Sequence, residues 1–134
     1  MDWTEELVKL ILPEGMLEEF ELRWIEEKNE EVYLYLDERT QVPTLPEQYK
    51  GLAIRSKGLT YPIQIQDFPI RDRRCVLVIR RRKWKISGVK ELIISELTLN
   101  KDGTKLTRGF ADFLKEAGRI RASGTGAYRQ AIQG

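Results

Sequence analysis

The chain has 134 residues, 33% of them charged and 41% hydrophobic, with a formal net charge of +2. These values suit one folded domain with a single hydrophobic core and exclude an intrinsically disordered chain. No apolar run approaches the roughly 20 residues of a membrane-spanning helix, and the acidic, amphipathic N-terminus is not expected to be a signal peptide. One cysteine and no histidine exclude an internal disulfide and a Cys/His zinc site in one chain. A reducing cytoplasm is therefore the expected compartment, and neither a metal nor a cofactor is expected.

Charge is distributed unevenly along the sequence. Residues 1–67 hold 15 Asp/Glu and 7 Lys/Arg, a balance of −8, whereas residues 68–134 hold 6 and 16, a balance of +10. This asymmetry indicates an anionic partner, such as a nucleic acid, for the basic half. The alternative is that the two halves neutralise each other when the chain folds.

The first predicted element is a helix with Asp2 as its N-cap. Glu5 follows Asp2 by three residues, which is the spacing of a capping box. Apolar residues then recur at helical spacing, and we predict that they face the core; these residues are Trp3, Leu7, Leu10 and Ile11. A second, short helical turn is predicted over Met16–Phe20.

Alternating hydrophobicity next predicts an antiparallel hairpin with one buried face, formed by residues 20–24 and 32–36. Residues 40–58 contain two prolines and two glycines and are predicted to form mainly a connecting loop. Three further strands are predicted at residues 59–67, Arg74–Lys85 and Leu92–Leu99.

A helix that begins after Thr107 and ends at a C-cap, Gly118, closes the predicted domain. Residues 119–134 are expected to form a mobile tail. The predicted fold class is α+β, with a small antiparallel sheet of about five strands, an N-terminal helix and a C-terminal helix. We predict one domain over residues 1–118, made of an acidic helix-hairpin half (1–67) and a basic strand-helix half (68–118).

Signals for catalysis are weak. The chain has no histidine, and Gly124-Thr125-Gly126 is too short for a phosphate-binding loop and lacks the following Lys-Ser/Thr. Cys75 has no neighbouring base in the sequence, so we predict a small, partly buried residue rather than a nucleophile. The chain is therefore not expected to be an enzyme.

The most informative stretch is the predicted strand Arg74–Lys85, in which an apolar run passes into a cationic cluster. Because side chains alternate along a strand, both of its faces change from apolar to cationic, and we predict a two-sided basic finger that leaves the core. Arginines bind phosphates bidentately, and Trp84 would stack on a base or sugar. The alternative is an edge strand kept soluble by charge. The predicted contacts on this strand and the turn before it are Arg71, Arg73, Arg74, Arg80, Arg81, Arg82, Lys83, Trp84 and Lys85.

Positive charge also surrounds the predicted last helix. Lys105 and Arg108 are further candidate DNA contacts, and the helix N-terminus near Thr107 would receive a phosphate. A capped surface helix with no ligand is the equal alternative.

The segment Asp67–Lys85, DFPIRDRRCVLVIRRRKWK, contains an ordered pattern: Asp-apolar-Pro-x-Arg, alternating apolar positions, and an Arg-Arg-Arg-aromatic cluster. A Thr and a helix that ends like Phe113-Leu114-Lys115-Glu116 follow. Together these features resemble the N-terminal region of bacterial insertion-sequence transposases, in which a zinc-ribbon-like module and a helix-turn-helix precede a DDE catalytic domain. The opening LILPEGMLEEFEL, Leu10–Leu22, is similar to a branch in which this region stands as its own short reading frame.

The resemblance covers residues 7–119 and departs from the zinc-bearing members. Their cysteine pairs would flank the basic strand, but residues 52–58 and 86–90 contain no cysteine. No zinc site and no DDE triad are therefore carried over. The resemblance implies recognition of the terminal repeats of a mobile element, with cleavage and joining done by a separate catalytic transposase subunit.

Three hypotheses follow. The first is a non-catalytic DNA-binding accessory module of a transposition system, which acts with the catalytic subunit or as a homodimer. The second is a protein-interaction module that uses the acidic half, with Trp24, Tyr33 and Tyr35. The third is a single-stranded RNA-binding protein, because exposed basic strands with aromatic residues also suit that ligand.

Overall fold

The computed structural model describes residues 3–121, of which residues 119–121 are described by their backbone alone. These residues form an α+β structure, which confirms the predicted fold class. Their seven strands form two sheets, with orders β1-β2-β5-β4 and β3-β6-β7. The elements are α1 (Trp3–Ile11), α2 (Met16–Glu19), β1 (Phe20–Lys28), β2 (Glu31–Glu38), a 3-10 turn (Glu47–Tyr49), β3 (Ile54–Leu59), β4 (Ile63–Ile70), β5 (Arg73–Arg80), β6 (Arg82–Ile86), β7 (Leu92–Ile94) and α3 (Arg108–Arg121).

The predicted hairpin is present as β1 and β2. Its two-residue turn, Asn29 and Glu30, has φ values of 51° and 62°. Two consecutive positive φ angles are typical of the type I′ turn, whose twist matches that of a hairpin. Alternate residues of β2 are buried, as expected from the sequence: Val32, Leu34 and Leu36.

The prediction of one continuous strand over Arg74–Lys85 is wrong. The chain leaves β5 at Arg80 and enters β6 at Arg82, and the two strands belong to different sheets. Arg81 separates them. Its backbone N–H donates to Thr60 Oγ1 at 3.0 Å, and its carbonyl accepts from the Thr60 N–H at 2.8 Å. There is no continuous two-sided finger, because each strand is paired on both of its edges.

The described residues form two compact units. The first unit comprises residues 3–23, 36–63 and 79–96, and the second comprises residues 24–35, 64–78 and 97–121. The predicted single domain over residues 1–118 stays a prediction. The first unit buries Val8, Leu12, Met16, Phe20, Leu36, Ile79, Trp84 and Ile86. The second unit buries Val32, Leu34, Ile65, Cys75, Val76, Leu77, Val78, Phe110 and Ala117.

Cys75 is fully buried in the second unit. Burial, followed by the nearby Asp67 carboxylate, raises the pKa of the Cys75 thiol to about 12. A thiol that stays protonated is a poor nucleophile. The structure therefore agrees with the prediction that Cys75 is a packing residue, although it is fully rather than partly buried.

The start of α3 is anchored to β4 within the second unit. The Thr107 hydroxyl donates to the buried Asp67 carboxylate at 2.7 Å, and the Thr107 N–H donates to the Gln66 carbonyl at 2.9 Å. Phe68 packs against Phe110 and Phe113, with ring centroids 5.3 and 5.4 Å apart. The carboxylate of Asp67 thus lies beside the position that we predicted for a phosphate.

The predicted C-cap at Gly118 is wrong, because α3 continues through Gly118 to Arg121. The prediction of a mobile tail over residues 119–134 falls mostly on residues 122–134, which lie outside the described residues. None of the described helices is both long and apolar enough to span a membrane.

The predicted orientation of the first helix is also wrong. Trp3 and Leu10 are 87% and 83% exposed, and Leu7 and Ile11 are exposed as well. Val8, on the other side of α1, is the buried residue of this helix. The sequence favours the first face for the core because it carries more apolar surface, but the smaller face of Val8 and Leu12 is the buried one.

Candidate nucleic-acid interface

The first cation of the basic cluster, Arg80, is held by an acidic residue at the end of β2. Its guanidinium donates from Nε to Asp37 Oδ1 at 2.8 Å and from Nη2 to Asp37 Oδ2 at 2.6 Å. The Asp37 side chain is 11% exposed and that of Arg80 is 41% exposed. The hydrogen bond to Asp37 raises the pKa of the Arg80 guanidinium above its usual value. Arg80 is therefore a neutralised, positioned group rather than a free phosphate ligand.

Replacing Asp37 by alanine is expected to lower the free energy of unfolding by about 1–3 kcal/mol, because Arg80 loses two charge-assisted hydrogen bonds. The partial exposure of Arg80 to water places the loss toward the lower end of that range. Urea denaturation measures it. The matched control is Asp72→Ala, because Asp72 is exposed and has no ion pair within residues 3–121. This variant is expected to lower the free energy of unfolding by less than about 0.5 kcal/mol. Equal losses for the two variants would show that the pair adds nothing.

Arg82 and Arg81 are also bound within the first unit. Arg82 donates from Nε to the Glu38 carbonyl at 3.0 Å and from its backbone N–H to Glu38 Oε1 at 2.7 Å. Arg81 donates from Nη1 to the Ser95 carbonyl at 3.1 Å, and its buried Nε has no hydrogen-bond partner within residues 3–121. Both arginines thus fix the connection between β5 and β6.

Trp84 is 3% exposed. It shares one face of β6 with Ile86, which is fully buried. Stacking on a base requires an exposed ring, so this structure does not present Trp84 as the DNA contact that we expected. Its place is in the core of the first unit.

The opposite face of the same sheet is cationic. β3 pairs antiparallel with β6, with Ile54 opposite Ile86 and Arg55 opposite Lys85. Residues directly opposite each other share a face, and residues two apart along a strand share it too. Arg55, Lys83 and Lys85 therefore lie on the face away from Trp84 and Ile86.

Lys57 extends this face at an irregularity in β3. The register shifts between Ser56 and Leu59, and Gly58 has a φ of 95° there. Such a bulge suits glycine, which adopts positive φ without strain. Lys57 is exposed and follows Arg55 by two residues. We call the set Arg55, Lys57, Lys83 and Lys85 the basic face.

The electrostatics of this sheet are one-sided. Among the residues of β3, β6 and β7, five are cationic and none is acidic. Arg55 and Lys85, which are directly opposite each other, carry like charges, and such pairs destabilise a sheet. The Lys85 ammonium donates to the carbonyls of Val89 and Lys90. Within residues 3–121, Arg55, Lys57 and Lys83 form no ion pair, so the basic face can attract anions.

Two apolar residues border the basic face. In the pairing of β6 with β7, Lys85 lies opposite Leu92 and Lys83 lies opposite Ile94. Leu92 and Ile94 are 42% and 41% exposed. The face therefore combines cations with a narrow apolar margin along the β7 edge.

Sequence reasoning missed Arg55 and Lys57, because the composition of residues 40–58 favours a loop. The signal that would have found them is the alternation of Ile54, Ser56 and Gly58 with two cations. That pattern is short and contains a single large apolar residue on its inner face. Its identity as a strand depends on β6, about 30 residues further along the chain.

Most of the candidate residues in the second unit are paired. Arg73 contacts Glu27, and Arg74 lies 3.1 Å from Glu31. Arg108 donates to the Thr98 carbonyl at 2.8 Å and lies 3.8 Å from Asp102.

Arg71 and Lys105 differ from those residues, because both are exposed and form no ion pair within residues 3–121. The pairs of Arg73, Arg74 and Arg80 with carboxylates of the acidic half favour mutual neutralisation of the two halves at these positions.

Comparisons with protein-family models, curated proteins and solved structures found no match to this chain. Within residues 3–121, no group of three His, Cys, Asp or Glu residues is placed to hold a metal ion. The basic face holds four cations on strands without an acidic residue, and Arg55, Lys57 and Lys83 form no ion pair within residues 3–121. It is the candidate functional site.

Proposed function

We propose that the protein is a non-catalytic DNA-binding accessory module of a transposition system, which contacts the DNA backbone through the basic face. The observation that carries the proposal is the cationic face of β3-β6-β7, where Arg55 stands opposite Lys85 and no strand residue is acidic. A like-charge pair costs stability, and a polyanion bound over it reverses that cost.

The spacing of the cations suits a phosphate backbone. Residues two apart on a strand are separated by about 6.6 Å, and neighbouring strands by about 4.8 Å. Arg55, Lys57, Lys83 and Lys85 therefore form a compact array rather than a line of isolated charges. Phosphate contacts of this type position a protein on DNA and supply affinity without reading sequence.

Duplex DNA fits the basic face better than single-stranded RNA. Binding of single strands relies on aromatic side chains on which bases stack. The aromatic residue of these three strands, Trp84, lies on the buried face. Leu92 and Ile94 supply apolar contact along one margin but no stacking surface.

The transposition context comes from the resemblance of the segment 67–85 and the following helix to transposase N-terminal regions. Within the second unit, Asp67 binds Thr107 and Phe68 packs on α3. The motif thus has a structural role in the second unit. Cleavage and joining of the element ends would be performed by a separate catalytic subunit, which this chain would help to place on the terminal repeats.

Fluorescence anisotropy of a labelled duplex, titrated with protein over a series of salt concentrations, tests the proposal. Four neutralised phosphates predict that log K falls with log salt at a slope of about −3.6. Shuffled duplex and single-stranded RNA of equal length are measured alongside a duplex with the terminal repeats of the encoding element. We expect both duplexes to bind more tightly than the RNA, and the terminal duplex to bind most tightly when the catalytic subunit is present.

Absence of duplex binding at low salt would overturn the proposal. Tighter binding of single-stranded RNA would replace it with the RNA hypothesis. Equal affinity for terminal and shuffled duplex, even with the catalytic subunit, would retain DNA binding and remove the recognition of element ends.

A further inference from the structure

The strand β7 forms one edge of its sheet and has no strand on its outer side within residues 3–121. An edge strand presents backbone N–H and C=O groups that pair readily with another chain. Leu92 and Ile94 are both about two-fifths exposed, on the same face as Lys85 and Lys83. The strand β7 therefore combines an unpaired backbone edge with exposed apolar side chains.

The two edges of this sheet differ in their protection against pairing. Proteins commonly block an edge with charged side chains or a bulge. The other edge strand, β3, has both, since it carries Arg55 and Lys57 and its register is irregular around Gly58. The strand β7 contains three aliphatic residues, no charge and no irregularity in its pairing with β6. Apart from its short length, β7 has no device that prevents pairing.

We propose that β7 of a second copy of the chain pairs antiparallel with this edge, about a two-fold axis at Ile93. A two-fold interface uses the same residues of both copies. Residues equidistant from Ile93 then lie opposite each other, so Leu92 of each copy meets Ile94 of the other. Because these paired positions differ by two residues, the two basic faces lie on the same side of the joined sheet.

Charge complementarity favours a second copy and sets the register. Lys90 and Glu96 are each three residues from Ile93, both are exposed, and neither forms an ion pair within residues 3–121. When pairing extends the strand by two residues at each end, Lys90 of each copy lies opposite Glu96 of the other, which is a favourable cross-strand pair. Glu91 then lies opposite Ser95, so this register contains no like-charge pair.

The neighbouring two-fold registers lack this match. With the axis at Leu92, Lys90 would lie opposite Ile94, and with the axis at Ile94, Glu96 would lie opposite Leu92. Each of these arrangements places a charge against an aliphatic side chain and loses the pair of opposite charges. The axis at Ile93 is therefore the one that the sequence of this edge supports.

The joined sheet also suits the proposed DNA ligand, and this consequence rests on the proposed function. Four aliphatic side chains, two from each copy, would lie between the two basic faces. Lys85 of one copy and Lys83 of the other would be separated by three strand spacings, or about 14 Å. The major groove of DNA is about 12 Å wide, so each basic face would contact the phosphates on one side of a groove.

Sedimentation equilibrium of the full chain without DNA, over a concentration series, tests the pairing. The interface is small, so we expect a weak dimer whose population rises with protein concentration. Lys90→Glu and Glu96→Lys each place like charges across the axis and are expected to weaken the dimer at least three-fold. An equimolar mixture of K90E and E96K is expected to form a heterodimer, because both cross-contacts are then attractive. Lys28→Glu, at an exposed lysine of the second unit, is the matched control and is expected to leave association unchanged.

A cysteine pair tests the register directly. Residues directly opposite each other in an antiparallel pair have Cα atoms about 4.5–5.5 Å apart, which is within disulfide range. Mild oxidation of an equimolar mixture of L92C and I94C is therefore expected to give more mixed disulfide than either homodimer. A mixture of L52C and I94C is the control, because Leu52 is 43% exposed outside β7. The native Cys75 is fully buried and is not expected to react.

A wild-type chain that stays monomeric at the highest soluble concentration would overturn the proposal. Single charge variants that associate as well as the wild type, or homodimeric disulfides in excess over the mixed product, would also overturn it. Duplex binding by a monomeric wild-type chain would show that this inference fails while the proposed function stands. A mixed disulfide dimer that binds no duplex at low salt would show the reverse.

Discussion

Replacing Arg55 and Lys83 together by glutamate is expected to reduce the affinity for duplex DNA by more than about ten-fold and to lower the salt slope by about 1.8, because two phosphate contacts are lost. The same change is expected to leave the protein at least as stable as before. Arg55 stands opposite Lys85, so Arg55→Glu exchanges a like-charge pair for an opposite-charge pair. Anisotropy titrations measure the first effect, and urea denaturation measures the second.

The control for this double reversal has the same change in net charge at other positions. Lys28 and Lys115 are exposed cations of the second unit that form no ion pair within residues 3–121. The variant K28E/K115E is expected to keep most of the affinity, since neither lysine belongs to the basic face. If both double variants lose affinity equally, binding depends on net charge and the basic face has no special role.

A gain in stability that accompanies the loss of binding would distinguish a functional surface from a solvated one. If the sheet needed charge only for solubility, a mixture of acidic and basic residues would be sufficient. Such residues would also form favourable pairs across strands. The clustering of positive charge on β3 and β6 destabilises the free protein. That loss of stability is explained if an anion binds over the basic face.

The regular parts of the fold were predictable because their signals are local. The hairpin is an example: alternation in β2 identifies its buried face, and the two residues between the strands suit a tight turn. α3 is another, because Phe110, Phe113 and Ala117 recur at helical spacing. In these cases, each residue's environment follows from neighbours within a few positions.

The site was less predictable, because it depends on contacts between residues far apart in the sequence. Asp37 and Arg80 are separated by 43 residues, and Glu38 binds Arg82 over 44. Neither sequence neighbourhood indicates that these cations are neutralised. Within β6, alternation correctly placed Lys83 and Lys85 on the face opposite Trp84. The burial of the Trp84 face within the first unit could not be predicted from the strand alone.

The exposed side of α1 is a second case in which the sequence shows the chemistry of a surface but not what that surface contacts. Helical spacing identified the apolar stripe correctly, and the error was to assign it to the core of the same chain. Periodicity reports that a face is apolar, whereas its partner is determined by tertiary or quaternary contacts. The smaller face of Val8 and Leu12 gave no comparable signal.

The second large effect concerns Trp84. Replacing it by alanine is expected to lower the free energy of unfolding by about 3–5 kcal/mol, because a large buried side chain leaves a cavity. The midpoint of thermal unfolding should then fall by more than about 10 °C, as measured by calorimetry. Trp84→Phe retains much of the apolar volume and is expected to be folded, with duplex affinity within about two-fold of wild type, because the ring makes no contact with DNA.

Tryptophan fluorescence separates the core role of Trp84 from a stacking role. Trp3 and Trp24 are 87% and 54% exposed, so the W84F variant should lose the blue-shifted emission component and keep the components that acrylamide quenches readily. Duplex DNA added to the wild type should leave the blue-shifted component unchanged. Quenching of that component by DNA, or a folded W84F protein with greatly reduced affinity, would mean that Trp84 leaves the core to stack on a base. The basic strand would then open on binding, and the ligand surface would include the face that the free protein buries.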